Sequence, residues 1–302
     1  MVPALQFVDT SLLRIGYEEW NPNASRTVVL LHGWPDSTRT WAAIAPGLAE
    51  AGWRVLVPAL RGFLPTRFLS DDAPRTGQLA SLGCDLLEFM DALDLKKPAL
   101  VGHDWGARAV AIACGLRPGV ASHLVMLSVA YGTNDPQQAL SILQARNYWY
   151  HWFMATPRGQ QTVREDGRHF AQTMWDTWSP PGWYAQEEFL ATAQAFDNAD
   201  WADITLHSYC HRWGHAPADP RYASEELLLN PAPVLDVPTL LLHGDADGVN
   251  HPSSSLGKEK FFRGVYERVL IADAGHFPQR EKPTEVLASL LNFFNQTSQT
   301  QP

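Results

Sequence analysis

Pro98-Ala99-Leu100-Val101-Gly102-His103-Asp104-Trp105-Gly106-Ala107 joins a short apolar run to a segment of good helix formers, Arg108 to Ala113, so Asp104 falls on a strand-to-helix turn. Gly102 and Gly106 flank it in the pattern G-x-S-x-G with Asp104 in place of serine. That is a nucleophile elbow, in which small residues let the backbone bend sharply and push the central side chain into a cleft. The backbone amides at the head of the following helix favour an ionised carboxylate there. The same position also suits a plain helix cap, so the elbow gains chemical meaning only from what accompanies it.

Outward from this turn the chain alternates. Thr27 to Leu31, Trp53 to Leu60, the elbow strand, and His123 to Val129 are apolar runs of strand length. Between them Ser37 to Ala51 (Trp41, Ile44, Leu48) and Leu79 to Leu95 (Leu82, Leu86, Phe89, Leu93) carry apolar side chains at helical spacing. Strands apolar throughout are buried on both faces, which predicts a mostly parallel sheet between helices, joined by right-handed crossovers. Residues 4–20 predict a leading strand pair through Leu5, Phe7, Leu12, Leu13, Ile15 and Tyr17, and residues 63–75 a polar loop.

The alternation stops at 132–225, which reads as helices and loops, and resumes at Pro238 to Gly244 and Arg268 to Ala272, closing with an amphipathic helix from Thr284 to Phe294. The expected organisation is an α/β core over 1–131, an inserted helical cap over 132–225 and the rest of the core over 226–302. The cap holds seven of the twelve tryptophans (Trp149, Trp152, Trp175, Trp178, Trp183, Trp201, Trp213). Most must pack the cap itself, yet the excess points to an apolar pocket beneath it. The last eight or so residues read as disordered.

Composition narrows the function classes. A net charge of −9 leaves little basic surface for nucleic acid. Cys84, Cys114 and Cys210 are an odd, scattered set rather than a disulfide framework, which predicts a reducing, cytoplasmic setting. No stretch approaches the apolar length of a membrane span.

Three further pieces fall after strands, where an open α/β sheet collects its ligands. His276 follows the last strand and can act as general base on a water. Asp247 follows the preceding strand and can accept from the His276 ring and fix its tautomer; Asp245 competes for that role but reads as a solvated turn residue. The order nucleophile, acid, histidine is that of the α/β-hydrolase fold. In His32-Gly33-Trp34-Pro35, the backbone N–H of Trp34, with that of Trp105, is placed to form an oxyanion hole. Pro35 can adopt the cis form at modest cost.

His-Gly-Trp-Pro at 32–35, Gly-His-Asp-Trp-Gly-Ala at 102–107, Gly-Asp-Ala-Asp at 244–247 and Gly-His-Phe at 275–277 together resemble the α/β-hydrolase epoxide hydrolases and their relatives, the haloalkane and fluoroacetate dehalogenases. The resemblance spans about residues 4 to 295. It implies that Asp104 attacks carbon to give an alkyl-enzyme ester, which water activated by His276, held by Asp247, then hydrolyses without cofactor or metal. It also implies two cap tyrosines that hydrogen-bond the epoxide oxygen, matching Tyr150 and Tyr209. Tyr148 stays open beside Tyr150, since neighbouring helix positions differ by about 100°.

The expected partner is a small apolar epoxide, the chain being a monomer or homodimer. Haloalkane dehalogenases commonly carry Asn where Trp34 stands, and fluoroacetate dehalogenases carry Arg where Trp105 stands. Arg108 matches the latter only in the Gly-Ala-Arg run. A dehalogenase and a non-catalytic ligand-binding protein of the same fold remain the alternatives.

Overall fold

The computed structural model describes residues 3, 5–132 and 139–298. Among these, strands β1 (Leu5–Asp9), β2 (Leu13–Trp20), β3 (Arg26–Leu31), β4 (Trp53–Pro58), β5 (Arg67–Phe68), β6 (Ala99–His103), β7 (His123–Leu127), β8 (Thr239–Gly244) and β9 (Tyr266–Ile271) form one sheet in the order β1-β2-β4-β3-β6-β7-β8-β9, with β5 paired to β2. The pairings of β2 with β1, β4 and β5 are antiparallel and all others parallel. The fold is the expected mostly parallel α/β-hydrolase sheet flanked by helices.

Alternate side chains of each central strand serve opposite faces. Val29, Leu31, Leu100 and Met126 join α2 (Leu79–Ala92) and α3 (Trp105–Leu116) in one core. Val28, Leu30, Val101 and Val125 pack with Trp41, Leu48, Val286, Leu290 and Phe293 in the other. Both cores are dry, which is why these strands lack polar alternation; truncating one such leucine to alanine costs about 2–5 kcal/mol. Because the central strands run parallel, the turns after β3, β6, β8 and β9 leave the sheet along one edge. His32 to Pro35, Asp104, Asp247 and His276 lie on those turns.

Two expectations need correction. The single helix over Ser37 to Ala51 is instead a 3-10 turn, Thr38–Trp41, followed by the short α1 (Ala45–Glu50). The Ser37 hydroxyl caps the turn by accepting from Arg39 N–H at 3.3 Å. Pro46, in the first turn of α1, has no amide to continue the preceding helix and its ring excludes the carbonyl four residues back. Trp41, Ile44 and Leu48 are buried all the same, so the apolar spacing is kept without one continuous helix. The expected polar loop at 63–75 contains β5, whose two residues pair with Leu13 and Arg14.

Between β7 and β8 lie only helices and connecting segments among the described residues: α4 (Ile142–Asn147), α5 (Trp149–Met154), α6 (Pro157–Glu165), α7 (Gly167–Trp178), α8 (Gln186–Ala193), α9 (Trp201–Arg212) and α10 (Ala223–Leu229). The last of these runs across the expected boundary at 225. Residues 133–138, at the start of the expected cap, and residues 299–302 of the expected disordered end lie outside the described residues. After β9 the chain closes with α11 (Pro278–Glu281) and α12 (Pro283–Ser298). No described helix is long and apolar enough to cross a membrane.

Candidate active site

The turn after β6 holds Asp104 at φ 49° and ψ −112°, a backbone state that costs a non-glycine residue about 1–3 kcal/mol. The two flanking glycines make the bend possible. A Cβ at Gly102 would lie 2.2 Å from the Gly106 carbonyl oxygen, and one at Gly106 would lie 2.4 Å from that of Leu31. The bent backbone sends the carboxylate toward the turn after β3, where the Trp34 N–H donates to Asp104 Oδ1 at 2.9 Å. The Trp34–Pro35 bond is cis.

Oδ2, the other oxygen, lies 3.8 Å from His276 Nε2. Burial alone would raise the Asp104 pKa, but the His276 charge and the Trp34 N–H bring it down to about 2. The group is therefore an anion at neutral pH.

His276 leaves the sheet after β9 and its Nδ1 meets Asp247 Oδ2 at 2.9 Å. Asp247 Oδ1 is fixed by the Val249 and Asn250 amides, each at 2.8 Å, and its Oδ2 also lies 3.3 Å from His243 Nε2. With this many partners Asp247 stays ionised although fully buried. Burial alone would lower the His276 pKa; the Asp247 charge, with Asp104, raises it to about 9. Asp245 stands on the exterior, where its carboxylate accepts from the Asp273 N–H. Of the two candidate acids, the structure brings Asp247 to His276.

The backbone of the histidine turn is held from both sides. Glu281 accepts the Gly275 and Phe277 N–H groups at 2.7 and 2.9 Å and the Ser179 hydroxyl at 2.7 Å. Ser179 Oγ in turn accepts the His276 N–H at 2.9 Å. On the opposite side the His276 carbonyl accepts from Ser128 Oγ and His103 Nε2.

The helices between β7 and β8 cover this edge with aromatic rings. Tyr150 on α5 stacks on Trp34 at 5.8 Å and 8°, and Tyr209 on α9 meets Trp34 edge-on at 5.0 Å. The two phenol rings are 5.2 Å apart, and the Tyr209 oxygen accepts from Trp105 Nε1 at 3.2 Å. Burial, with the Asp104 charge, pushes both phenols well above their ordinary pKa, so both keep their protons. Tyr148 donates its hydroxyl to Asn250 Oδ1 at 2.7 Å, leaving Tyr150 as the α5 phenol that packs with Tyr209. Trp178 lies 5.0 Å from His276 and 5.7 Å from Trp34, whereas Trp175 and Trp183 pack with Phe277.

A family profile described as alpha/beta hydrolase fold matches residues 26–283. Epoxide hydrolase 2 of Siraitia grosvenorii is 34% identical over 88% of this chain and 90% of its own length. The chain belongs to the α/β-hydrolase family of epoxide hydrolases. Epoxide hydrolase A of Mycobacterium tuberculosis is 26% identical over 96% of this chain and 97% of its own. A crystal structure of a candidate epoxide hydrolase from Klebsiella pneumoniae superposes with a TM-score of 0.91 at 35% identity, covering 96% of each chain.

In this α/β-hydrolase several neighbours of the site carry no sequence signal of their own. His243 lies within the apolar strand β8. Ser179 and Glu281 fall in segments of mixed polarity, and only their bonds to the histidine turn single them out. His151, buried beside Tyr150 with ring centres 4.3 Å apart, sits in an aromatic run that reads as packing. Arg108 is buried one turn into α3.

Proposed function

We propose that this hydrolase opens an epoxide with an apolar body to a vicinal diol through an ester at Asp104, with residues 132–225 acting as the cap over the reacting centre. The observation that carries this is the division of labour between the two Asp104 oxygens. Oδ1 is tied to the Trp34 amide and Oδ2 lies toward His276. Oδ2 attacks a ring carbon, the ring C–O bond breaks, and a proton from Tyr150 or Tyr209 reaches the departing oxygen; an alkoxide is too poor a leaving group to go without one.

Water then adds to Cγ of the ester as His276 takes its proton. The negative charge develops on Oδ1, where the Trp34 amide already stands. Collapse expels the diol oxygen, which receives the proton from His276; the remaining carboxyl proton passes to His276 and restores the imidazolium, and Asp104 keeps one oxygen from water. Esterification removes the Asp104 charge that helps hold His276 as imidazolium, so its proton passes to the phenolate left by ring opening and the ring is free when water must be activated.

Two observations weigh against a dehalogenase. The indole N–H of Trp105, a halide donor in that chemistry, is given to the Tyr209 oxygen. Trp34 donates its own indole N–H to Thr205 Oγ1 at 3.0 Å. The free thiols Cys84, Cys114 and Cys210 fit a reducing compartment.

Single-turnover reaction with an aryl epoxide in ¹⁸O-water tests the reading. The label is expected in the Asp104 carboxylate and not in the first diol formed, and a His276→Asn variant is expected to accumulate an Asp104 adduct visible by mass spectrometry. Label entering the first diol directly would overturn the ester mechanism.

A further inference from the structure

Asp247 serves two imidazoles, of which the proposed hydrolysis uses only His276. His243 stands near the end of β8, and its Nε2 lies 3.3 Å from Asp247 Oδ2, the same oxygen that His276 Nδ1 meets at 2.9 Å. The side chains of all three residues are wholly buried. His243 Nε2 also lies 2.9 Å from the Asn250 carbonyl oxygen. Both of these neighbours are acceptors, so Nε2 carries a proton.

The other ring nitrogen fixes the orientation. Nδ1 is 3.0 Å from the buried Ser255 Oγ, which accepts the Arg268 Nε–H at 2.7 Å. A ring engaged at both nitrogens cannot turn from the carboxylate without losing a bond on each side. Asn250 is engaged as completely. Its N–H donates to Asp247 Oδ1 at 2.8 Å, its Oδ1 accepts the Tyr148 hydroxyl at 2.7 Å, and its Nδ2 donates to the Ser128 carbonyl at 2.8 Å. His243 therefore reaches Asp247 twice, at Oδ2 directly and at Oδ1 through the Asn250 peptide.

We propose that His243 is a positioning residue for the acid partner: it holds Asp247 in register with the base, and its Nε2–H competes with the His276 ring for Oδ2. A carboxylate that already accepts a second donor pulls less strongly on the first. His276 thus releases its proton more readily than it would beside an Asp247 that served it alone. The inference rests on the use of His276 as base in ester hydrolysis.

Other titratable or charged groups also face this pair. They are His103 at the end of β6, Asp104 after it, Tyr148 through Asn250, Arg268 on β9 through Ser255, and Glu281 on the backbone of the histidine turn. None is replaced by a substitution at 243.

His243→Phe fills the space of the ring and removes both nitrogens, and His243→Gln returns an N–H near the place of Nε2. NMR titration of the resting enzyme is expected to put the His276 pKa roughly 0.5 to 1 higher in His243→Phe than in wild type, with His243→Gln between them. With an aryl epoxide, ester formation should keep its rate, whereas ester hydrolysis at pH 7 should fall by roughly three- to tenfold, the same change read as the fraction of neutral base. His243→Asn, which keeps a polar atom near Nδ1 and none at Nε2, gives the same reading if the phenylalanine variant does not fold. A His276 pKa unmoved or lowered, or equal slowing of both half-reactions in all the variants, would overturn the role. A raised His276 pKa in a protein that turns over no epoxide would uphold the hold of His243 on the acid and sink the epoxide-opening reading.

Discussion

Replacing Asp104 with asparagine keeps the side-chain shape and removes one negative charge 3.8 Å from His276 Nε2. Unit charges at that distance interact by about 1 kcal/mol in water-like surroundings and about 4 kcal/mol at the effective dielectric of a protein interior, which corresponds to a pKa change of about one to three. The sign follows from which form the charge favours: an anion beside the ring stabilises imidazolium, so its removal lowers the pKa. His276 stands at about 9 with Asp104 in place, and D104N is expected to bring it to between roughly 6 and 8.

The assay is an NMR titration of ring-labelled histidines, with the His276 signal assigned by its loss in His276→Gln. A His276 pKa in D104N within about 0.3 of the wild-type value, or above it, would refute the coupling. The variant also imitates the esterified enzyme, whose Asp104 is neutral for a different reason. A titration that moves as expected supports the proposal that ester formation itself frees the base.

Tyr150→Phe and Tyr209→Phe should each lower kcat for ring opening by roughly 10- to 100-fold, and together by more, because each phenol supplies a hydrogen bond to a developing alkoxide. Pre-steady-state adduct formation distinguishes this from a fault in ester hydrolysis, and full turnover in the double variant would exclude the phenols from the reaction. Gly106→Ala places a methyl 2.4 Å from the Leu31 carbonyl oxygen and should destabilise the elbow by about 2 kcal/mol or more, read as a lowered denaturant midpoint with loss of adduct formation; a variant as stable and as active as wild type would contradict the packing described.

The central strands were legible because both of their faces are dry and their few polar residues sit at or near strand ends. Glycines at 102 and 106 made the elbow legible in the same way, since few other backbones need both. The choice between Asp245 and Asp247 was approachable from the motif, but the deciding facts are the amides of Val249 and Asn250, which only the folded turn presents. The stretch 37–51 misled because Trp41, Ile44 and Leu48 keep a helical spacing across a break that Pro46 enforces through its missing N–H.

Ser179 follows directly on α7, and its contacts with the histidine turn and with Glu281 are joined by the Trp178 carbonyl, which accepts from both Gly248 and His276. In the mechanism proposed above, the proton-accepting ring and the loop of its acid partner are thus anchored to the end of α7. Displacing this segment would loosen the base at the same moment, so on the proposed mechanism substrate exchange is expected to leave Ser179 in place.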